Sequence, residues 1–266
     1  HCVNDILVQG ARPIFFLDYL ATGRLSPQIS AEVVEGIARG CRENGCALLG
    51  GETAEMPGFY QDGEYDLAGF IVGLVDRARI IDGHTIVPGD VLIGLPSTGL
   101  HTNGYSLARR ILFDELELGL DQEVDELGCS VGEELLRPHC SYQAAVRPTI
   151  DTGYVKGIAH ITGGGLTDNV PRILPDGCNA VIDARSWPVP PVFEFLRKQG
   201  DVPVDDMYRT FNMGIGLVIV CSRADLDDVL TKLISSGEVG AGLIGEIREG
   251  ESAVTYADVE FLKPVE

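Results

Sequence analysis

Glycine runs that follow short apolar segments constrain this chain more than any other feature of its sequence. The runs are Gly50 and Gly51, then Thr162 with Gly163, Gly164 and Gly165. Glycine loses more backbone entropy on folding than other residues and adds no side-chain contact, so packing alone does not explain three before a predicted helix. Neither run has the sequence of a Walker loop or of the dinucleotide GxGxxG fingerprint. The runs therefore predict turns whose backbone approaches a ligand, with phosphate as the leading candidate.

A third loop, at 97–106, lies at the start of a helix predicted at 104–114. It carries small hydroxyl residues, Asn103, Gly104 and His101. Free N–H groups at a helix start attract anions, and a histidine there can contact phosphate or exchange a proton. A helix cap with a surface histidine explains the same residues equally well. Because the loop lacks apolar periodicity, we expect His101 outside the core, and the helix dipole favours its neutral form.

Two carboxylates lie close to turns. Asp5 precedes a helix stop at Gly10, and Glu52 with Thr53 follows the glycine pair. A carboxylate beside a hydroxyl suits Mg²⁺ bound to phosphate. A surface aspartate near a helix end and a turn with solvated acids are the alternative interpretations. Taken together, the loops and carboxylates favour an enzyme that uses magnesium-bound ATP and a second phosphorylated ligand.

The charge balance limits the classes of partner. The chain has 20 Lys and Arg against 40 Asp and Glu, a formal net charge of −20. This excess argues against a basic face for nucleic acid or anionic membranes, and no apolar run approaches the roughly 18 residues needed to span a bilayer.

Seven cysteines without a CxxC pair indicate a reducing compartment, so we expect a cytoplasmic protein. Cys41, Cys46, His139 and Cys140 are zinc-type ligands, but they lack the close pairing usual in zinc sites.

Hydrophobic patterning predicts an α/β chain built from α+β layers in two domains. Apolar residues recur every four positions from 29 to 41 and predict an amphipathic helix at 27–43, after a buried strand at 13–20. A cluster of turn formers at 82–90 divides a domain at 1–81 from one at 82–266. Strands and helices follow without regular βαβ alternation. Other predicted strands are 46–49, 66–76, 91–95, 157–161, 178–183, 214–221, 241–247 and 253–257, and other helices are 1–10, 130–136, 140–148, 166–174, 190–199 and 223–236.

Longer strings surround the loops and carboxylates. They are VNDILVQGARP at 3–13, FFLDY at 15–19, GGETAEMP at 50–57, YDLAGF at 65–70, GLHTNGYSL at 99–107, AHITGGG at 159–165 and MYRTFNMGIG at 207–216. In this order they closely resemble the phosphoribosylformylglycinamidine cyclo-ligase family, also called aminoimidazole ribonucleotide (AIR) synthetases. The resemblance runs from residue 1 almost to the C-terminus and is far more specific than any single loop.

The resemblance implies a reaction of purine biosynthesis. ATP would phosphorylate the formyl oxygen of formylglycinamidine ribonucleotide (FGAM), and an internal nitrogen would then close the imidazole ring. The products would be AIR, ADP and phosphate. An amide oxygen is a poor leaving group and its phosphate a good one, while Mg²⁺ offsets the charge of the triphosphate.

The resemblance also implies roles for single residues. Asp5 and Glu52 would hold the metal, and Asp5 and His101 would act in catalysis. The substrate-lining residues would be His160, Thr210 and Asn212. The nucleotide- or phosphate-binding residues would be Gly50, Gly51, Glu52, Thr53, Asn103, Gly104, Thr162, Gly163, Gly164 and Gly165.

The same resemblance implies a two-domain ATP-binding fold whose first domains build a shared β-barrel in a homodimer. Two departures from the family pattern stand out. An N-terminal segment used for ATP is absent, so we expect an incomplete first domain, and the sequence leaves open whether this chain is active by itself. The string PHCSY at 138–142 replaces an expected Pro-Thr-basic-x-Tyr, which removes a basic contact.

Two alternatives to this function remain. One is another enzyme of the same ATP-binding superfamily: formylglycinamidine ribonucleotide synthetase, selenophosphate synthetase, thiamine phosphate kinase or a hydrogenase-maturation factor. The strings ETAEMP at 52–57 and HTNGYS at 101–106 argue against all four. The other is a truncated paralogue without catalysis, which the intact loops disfavour.

Overall fold

The computed structural model describes residues 1–257 as two compact units. The first is Cys2–Ile80, and the second begins at Ile81 and includes His1. Residues 258–266, the end of the predicted second domain, lie outside the described residues. Within the described part, no helix has the length and apolar character needed to cross a membrane.

The first unit is a three-stranded sheet with two helices. Its elements are α1 (Cys2–Leu7), β1 (Arg12–Thr22), α2 (Pro27–Glu43), β2 (Ala47–Glu55) and β3 (Tyr65–Leu74). Strand β1 lies in the middle, parallel to β2 and antiparallel to β3. The predicted helix at 27–43 is confirmed, with Pro27 at its first turn and Cys41 buried. The prediction that β1 is buried was wrong for most of its length, because Ile14 is 43% exposed and residues 15–19 are only half-buried.

The glycine pair does not end a strand, which corrects the predicted loop. Gly50, Gly51, Glu52 and Thr53 all lie inside β2 and pair with residues 17–20 of β1. The ladder shifts register between Phe16 and Leu17, so a bulge occurs where Gly50 begins its pairing. A Cβ on Gly51 would lie within the Asp18 backbone. Glycine is therefore required at position 51 by the close approach of two strands.

The second unit contains a six-stranded sheet. Its elements are β4 (Val91–Pro96), α3 (Tyr105–Arg109), β5 (Glu123–Val124), β6 (Cys129–Ser130), α4 (Val131–Leu135), α5 (Gln143–Ile150), β7 (Val155–His160), α6 (Gly165–Asn169), β8 (Cys178–Asp183), α7 (Pro191–Gln199), α8 (Val204–Thr210), β9 (Ile215–Cys221), α9 (Leu226–Ser235), β10 (Gly242–Glu249) and β11 (Val254–Ala257). The strand order is β11-β8-β10-β4-β9-β7, antiparallel except between β11 and β8. This order confirms the mixed α+β layers.

The core of the second unit forms around β9. Every residue of Ile215–Cys221 is buried, and the continuous apolar run reflects packing on both faces of the sheet. One face packs Val218 and Val220 with residues of β4, β8 and β10. A second cluster, which includes Phe193, Tyr208 and Phe211, joins α3, α7 and α8. The sheet thus provides a rigid base for the loops at its ends.

Several α-helices in the structure are shorter than the ranges predicted for them. Helix α3 passes into a π-helical turn at Arg110–Glu115, and α6 passes into a 3₁₀ turn at Val170–Ile173, where Pro171 cannot donate the next helical hydrogen bond. Helix α8 was not predicted, although its first turn carries two acidic residues, a known start signal. The β5–β6 hairpin was not predicted either.

A buried ion pair fixes the entry to β4 against β7. The Lys156 ammonium lies 2.7 and 2.8 Å from the two carboxylate oxygens of Asp90, whose side chain is 4% exposed. One of these oxygens also accepts a hydrogen bond from the Val87 N–H at 2.9 Å. The Asp90 carboxylate is thus held by the charge of Lys156 and by a backbone hydrogen bond from Val87.

We predict that Lys156→Met lowers the free energy of unfolding by about 3 kcal/mol, because the Asp90 carboxylate is left buried without its cation. The matched control is Arg223→Met, which breaks a solvent-exposed pair with Glu246 and is expected to cost less than about 1 kcal/mol. Urea denaturation of the full-length protein measures both. Equal losses in the two variants would contradict the role given to the buried pair.

Candidate active site

The topology brings two loops to one edge of the six-stranded sheet. Strands β4 and β7 are both antiparallel to β9 and flank it on either side. Their carboxyl ends therefore reach the edge at which β9 begins. The Ser97 N–H donates to the Gly214 carbonyl at 2.8 Å, and the Ile161 N–H donates to the Gly216 carbonyl at 3.0 Å. The loops after β4 and β7 thus lie on opposite sides of the segment that leads into β9.

Asn212 supports the first of these loops from inside. Its side chain is completely buried, and its amide oxygen accepts hydrogen bonds from the Ser97 hydroxyl and the Gly214 N–H, both at 2.8 Å. Its amide nitrogen donates to the carbonyls of Gly99 at 2.9 Å and Leu100 at 3.2 Å. The side chain of Asn212, which was predicted to line the substrate site, holds the loop in this structure.

Asn169 plays the same part for the triple-glycine loop. Its amide nitrogen lies 3.3, 3.1 and 2.8 Å from the carbonyl oxygens of Thr162, Gly163 and Gly165. The Thr162 hydroxyl donates to its amide oxygen at 3.2 Å. Asn169 was not predicted as a site residue. Its signal is a polar amide four residues after the last glycine, inside a helix where asparagine is otherwise disfavoured.

The three glycines of this loop differ in their backbone conformation and in the space around them. Gly165 has φ +60° and a Cβ on it would lie 2.1 Å from the Tyr208 carbonyl oxygen, so fold geometry requires glycine. Gly163 is exposed, and the nearest atom to a Cβ there would be the Asn103 amide oxygen at 3.8 Å. Gly164, with φ +97°, lies between them. Of the three glycines, only Gly163 thus has open space beside it.

His101 is buried, contrary to the sequence prediction. Its ring is 4% exposed and stacks on His139 with centroids 4.0 Å apart. Gly216 makes room for it, because a Cβ there would lie 2.6 Å from the His101 Cε1 atom. Burial, aided by the neighbouring His160, lowers the pKa of His101 to about 4. The neutral form predicted from the helix dipole is therefore right in outcome, but desolvation is its main cause.

The tautomer of His101 follows from its hydrogen bond. Its Nε2 accepts from the Thr98 N–H at 3.0 Å, so the neutral ring carries its proton on Nδ1. Among the described residues this Nδ1 is buried without a hydrogen-bond partner, and so is the side-chain nitrogen of Asn103, which is 9% exposed. Buried donors without acceptors are costly until a ligand or water supplies one. Two such donors in one loop point to a site for an oxygen-bearing ligand.

Three further histidines form a cluster with His101. The Nε2 atoms of His139 and His160 lie 3.1 Å apart, and the His1 ring is centred 4.9 Å from His139 and 5.0 Å from His160. Burial, together with His101, lowers the pKa of His139 to about 2. His160 was predicted to line the substrate site, and His1 was given no role. His139 was named both as a zinc-type residue and as a departure in the string at 138–142.

A cleft of about 620 Å³ lies beside this cluster. Its lining includes Ser97, Thr98, Arg137 and His139. The Thr98 hydroxyl donates to the Pro138 carbonyl at 2.6 Å, which joins the two walls of the cleft. The Arg137 guanidinium pairs with the Glu134 carboxylate at 2.9 Å. The cleft therefore combines one paired cation, small hydroxyls and an imidazole.

The remaining predicted residues lie in other settings. Gly104 precedes α3 with φ +76° and packs against the Phe211 ring. Thr210 is the half-buried last residue of α8. Asp5 on α1 and Glu52 on β2 are exposed carboxylates of the first unit, and Glu52 accepts a hydrogen bond from the Thr53 N–H at 3.0 Å. Oxygen donors of this kind fit Mg²⁺, which prefers carboxylates and water.

Comparison with protein families identifies both units. The family described as AIR synthase related protein matches with its N-terminal domain at residues 1–75 and its C-terminal domain at residues 87–257. A phosphoribosylformylglycinamidine cyclo-ligase of Syntrophotalea carbinolica is 55% identical over 258 residues, covering 96% of this chain and 73% of the relative. One from Trichlorobacter lovleyi is 56% identical over 247 residues, covering 93% and 70%.

Solved structures show the same fold in more distant proteins. E. coli HypE matches with a TM-score of 0.70 at 24% identity, covering 97% of this chain and 74% of that chain. A thiamine-monophosphate kinase from Stenotrophomonas maltophilia K279a matches with a TM-score of 0.69 at 19% identity, covering 96% and 75%. At such identities the likeness concerns the fold, whereas the two cyclo-ligases above are more than half identical to this chain. The chain therefore belongs to the phosphoribosylformylglycinamidine cyclo-ligase family of AIR synthase related enzymes.

Proposed function

We propose that this chain converts FGAM to AIR with ATP, giving ADP and phosphate. The observation that carries the proposal is the identity of 55% over 258 residues to a named cyclo-ligase, which spans both units. The geometry supports it, because the loop that carries the unpartnered donors of His101 and Asn103 meets the triple-glycine loop at one sheet edge. As an enzyme of purine biosynthesis, it would act in the cytoplasm.

ATP supplies the phosphoryl group that turns the formyl oxygen into a leaving group. Support for ATP on this fold comes from a hydrogenase maturation protein HypE in complex with ATP, which matches with a TM-score of 0.69 at 19% identity. We assign phosphate contacts to the exposed Gly163 with Thr162, and to Asn103 with Gly104. Gly50, Gly51 and Thr53 remain nucleotide-binding residues in this proposal, although they lie in a strand.

His101 is assigned to the transferred phosphoryl group or the substrate. A neutral ring with its proton on Nδ1 can donate a hydrogen bond without adding positive charge to the free protein. In a buried site such a donor stabilises developing negative charge more strongly than it would in water. His160 and Thr210 are proposed to line the substrate site, with Asn169 and Asn212 as positioning residues that fix the loops.

Asp5 and Glu52 are assigned to Mg²⁺. Their exposed carboxylates have the donor chemistry that Mg²⁺ requires, and the ion would offset the charge of the triphosphate.

A homodimer is proposed through the open face of the three-stranded sheet. Phe70 and Val72 of β3 pair directly with Leu17 and Phe15 of β1, so the four side chains share one face. Phe70 is 60% exposed and Val72 is 38% exposed. An apolar sheet face of this kind marks an interface, and a second copy of the same sheet is its complement.

We predict that the full-length protein releases ADP and forms AIR only when FGAM, ATP and Mg²⁺ are all present. Asp5→Asn should lower turnover by about a hundredfold, because it keeps the size of the side chain and removes the charge for the metal. Asp62→Asn, at an exposed aspartate of the same unit, is the control. Absence of FGAM-dependent ADP release in folded protein would overturn the function. Full turnover in Asp5→Asn would overturn only the metal assignment.

We predict that the free energy of unfolding falls as the pH is lowered from about 6.5 to about 4, the ordinary and the folded pKa of His101. Between these two values His101 is protonated in the unfolded chain but stays neutral in the folded protein. One such histidine changes the free energy of unfolding by up to about 1.4 kcal/mol per pH unit. His101→Asn should flatten the slope, whereas His84→Asn, at an exposed histidine, should not. Denaturation series at several pH values decide this, and identical slopes in all three proteins would refute it.

We predict that Phe70→Glu converts the dimer into monomers. Dimer formation would bury the new carboxylate without a partner, and removing that charge from water is costly. Leu136→Glu places the same charge at a leucine that is 81% exposed in the second unit, and should leave the dimer intact. Sedimentation velocity of the full-length proteins measures both. A monomeric parent protein, or a dimeric Phe70→Glu variant, would contradict the interface.

A further inference from the structure

Three histidines of the second unit are placed as a metal site would require. One ring nitrogen from each of His1, His139 and His160 lies within 4.8 Å of the other two. They come from separate parts of the chain: its first residue, the segment after α4, and the end of β7. Of the four zinc-type residues in the sequence, the group includes His139 but not Cys41, Cys46 or Cys140.

The separations suit a small ion. Ligand nitrogens of a tetrahedral zinc ion, each about 2.0–2.1 Å from the metal, lie about 3.3 Å from one another. The two Nε2 atoms of His139 and His160 are already 3.1 Å apart. His1 is exposed, so its ring can approach the other two by side-chain rotation without moving the sheet.

Neighbouring groups already orient two of the three rings. The His1 Nδ1 and the Thr102 hydroxyl form a hydrogen bond at 2.9 Å, which orients the His1 ring. The ring of His139 lies flat on His101, with an interplanar angle of 24°. Outer partners of this kind fix the orientation of ligand imidazoles and raise metal affinity.

We propose that His1, His139 and His160 form a three-imidazole site for a borderline divalent cation such as Zn²⁺ or Co²⁺. Imidazole suits these ions, whereas Mg²⁺ prefers carboxylate and water oxygens. The site is therefore chemically separate from the Mg²⁺ assigned to Asp5 and Glu52, and it does not depend on the proposed ring-closing reaction.

The test is a Co²⁺ titration of full-length protein without a histidine tag, followed by visible absorption. The parent protein should bind one equivalent and develop the absorption bands of Co²⁺ with nitrogen ligands. His139→Thr should weaken binding by about tenfold or more, because it removes one of three ligands. His84→Ala, at an exposed histidine that pairs with Asp82, should bind as the parent does.

A second variant and a second readout secure the result. His1→Ala alters an exposed residue, so it tests the site without disturbing the core. Saturating Co²⁺ should raise the melting temperature of the parent protein and of His84→Ala, and should raise it less in both site variants. No saturable binding by the parent would overturn the proposal. So would binding that survives both His139→Thr and His1→Ala, or binding that His84→Ala weakens equally.

Discussion

The antiparallel pairing of β9 with both β4 and β7 is the constraint on which the candidate site depends. Strands β4 and β7 lie on either side of β9 and run in the same direction, so the chain leaves both at the same edge of the sheet. The loop with His101 and the loop with Gly163 are separated by about sixty residues of sequence, yet they meet there. Gly216 of β9 provides the space that the His101 ring fills.

Two buried asparagines convert this placement into a defined geometry. Asn212 and Asn169 each bond to several backbone groups of one loop, so their amides replace the helix or strand partners that loop backbone lacks. Such saturated polar groups rigidify a structure, whereas the unpartnered donors on His101 and Asn103 are costly. The loops are therefore held firmly by one set of polar groups, while the other set is left for a ligand.

Local patterns in the sequence predicted much of the fold, and non-local pairing explains what they missed. The four-residue apolar period predicted α2, and residues 178–183 predicted β8 with its observed bounds. Gly50 and Gly51 looked like a turn because their partner strand β1 is distant in sequence. The burial of His101 depends on His139 and Gly216, which no window around position 101 contains. Asn169 and the group of His1, His139 and His160 emerge only once the strands are paired.

The central claim is that the two loops form a single ligand site. Hydrogen–deuterium exchange of the full-length protein, measured with and without FGAM and a non-hydrolysable ATP analogue, tests it most directly. The account predicts that backbone amides of residues 97–104 and 161–165 gain protection together, while exposed segments such as 117–122 do not change. Protection of only one loop, or of neither while the ligands are bound, would contradict it.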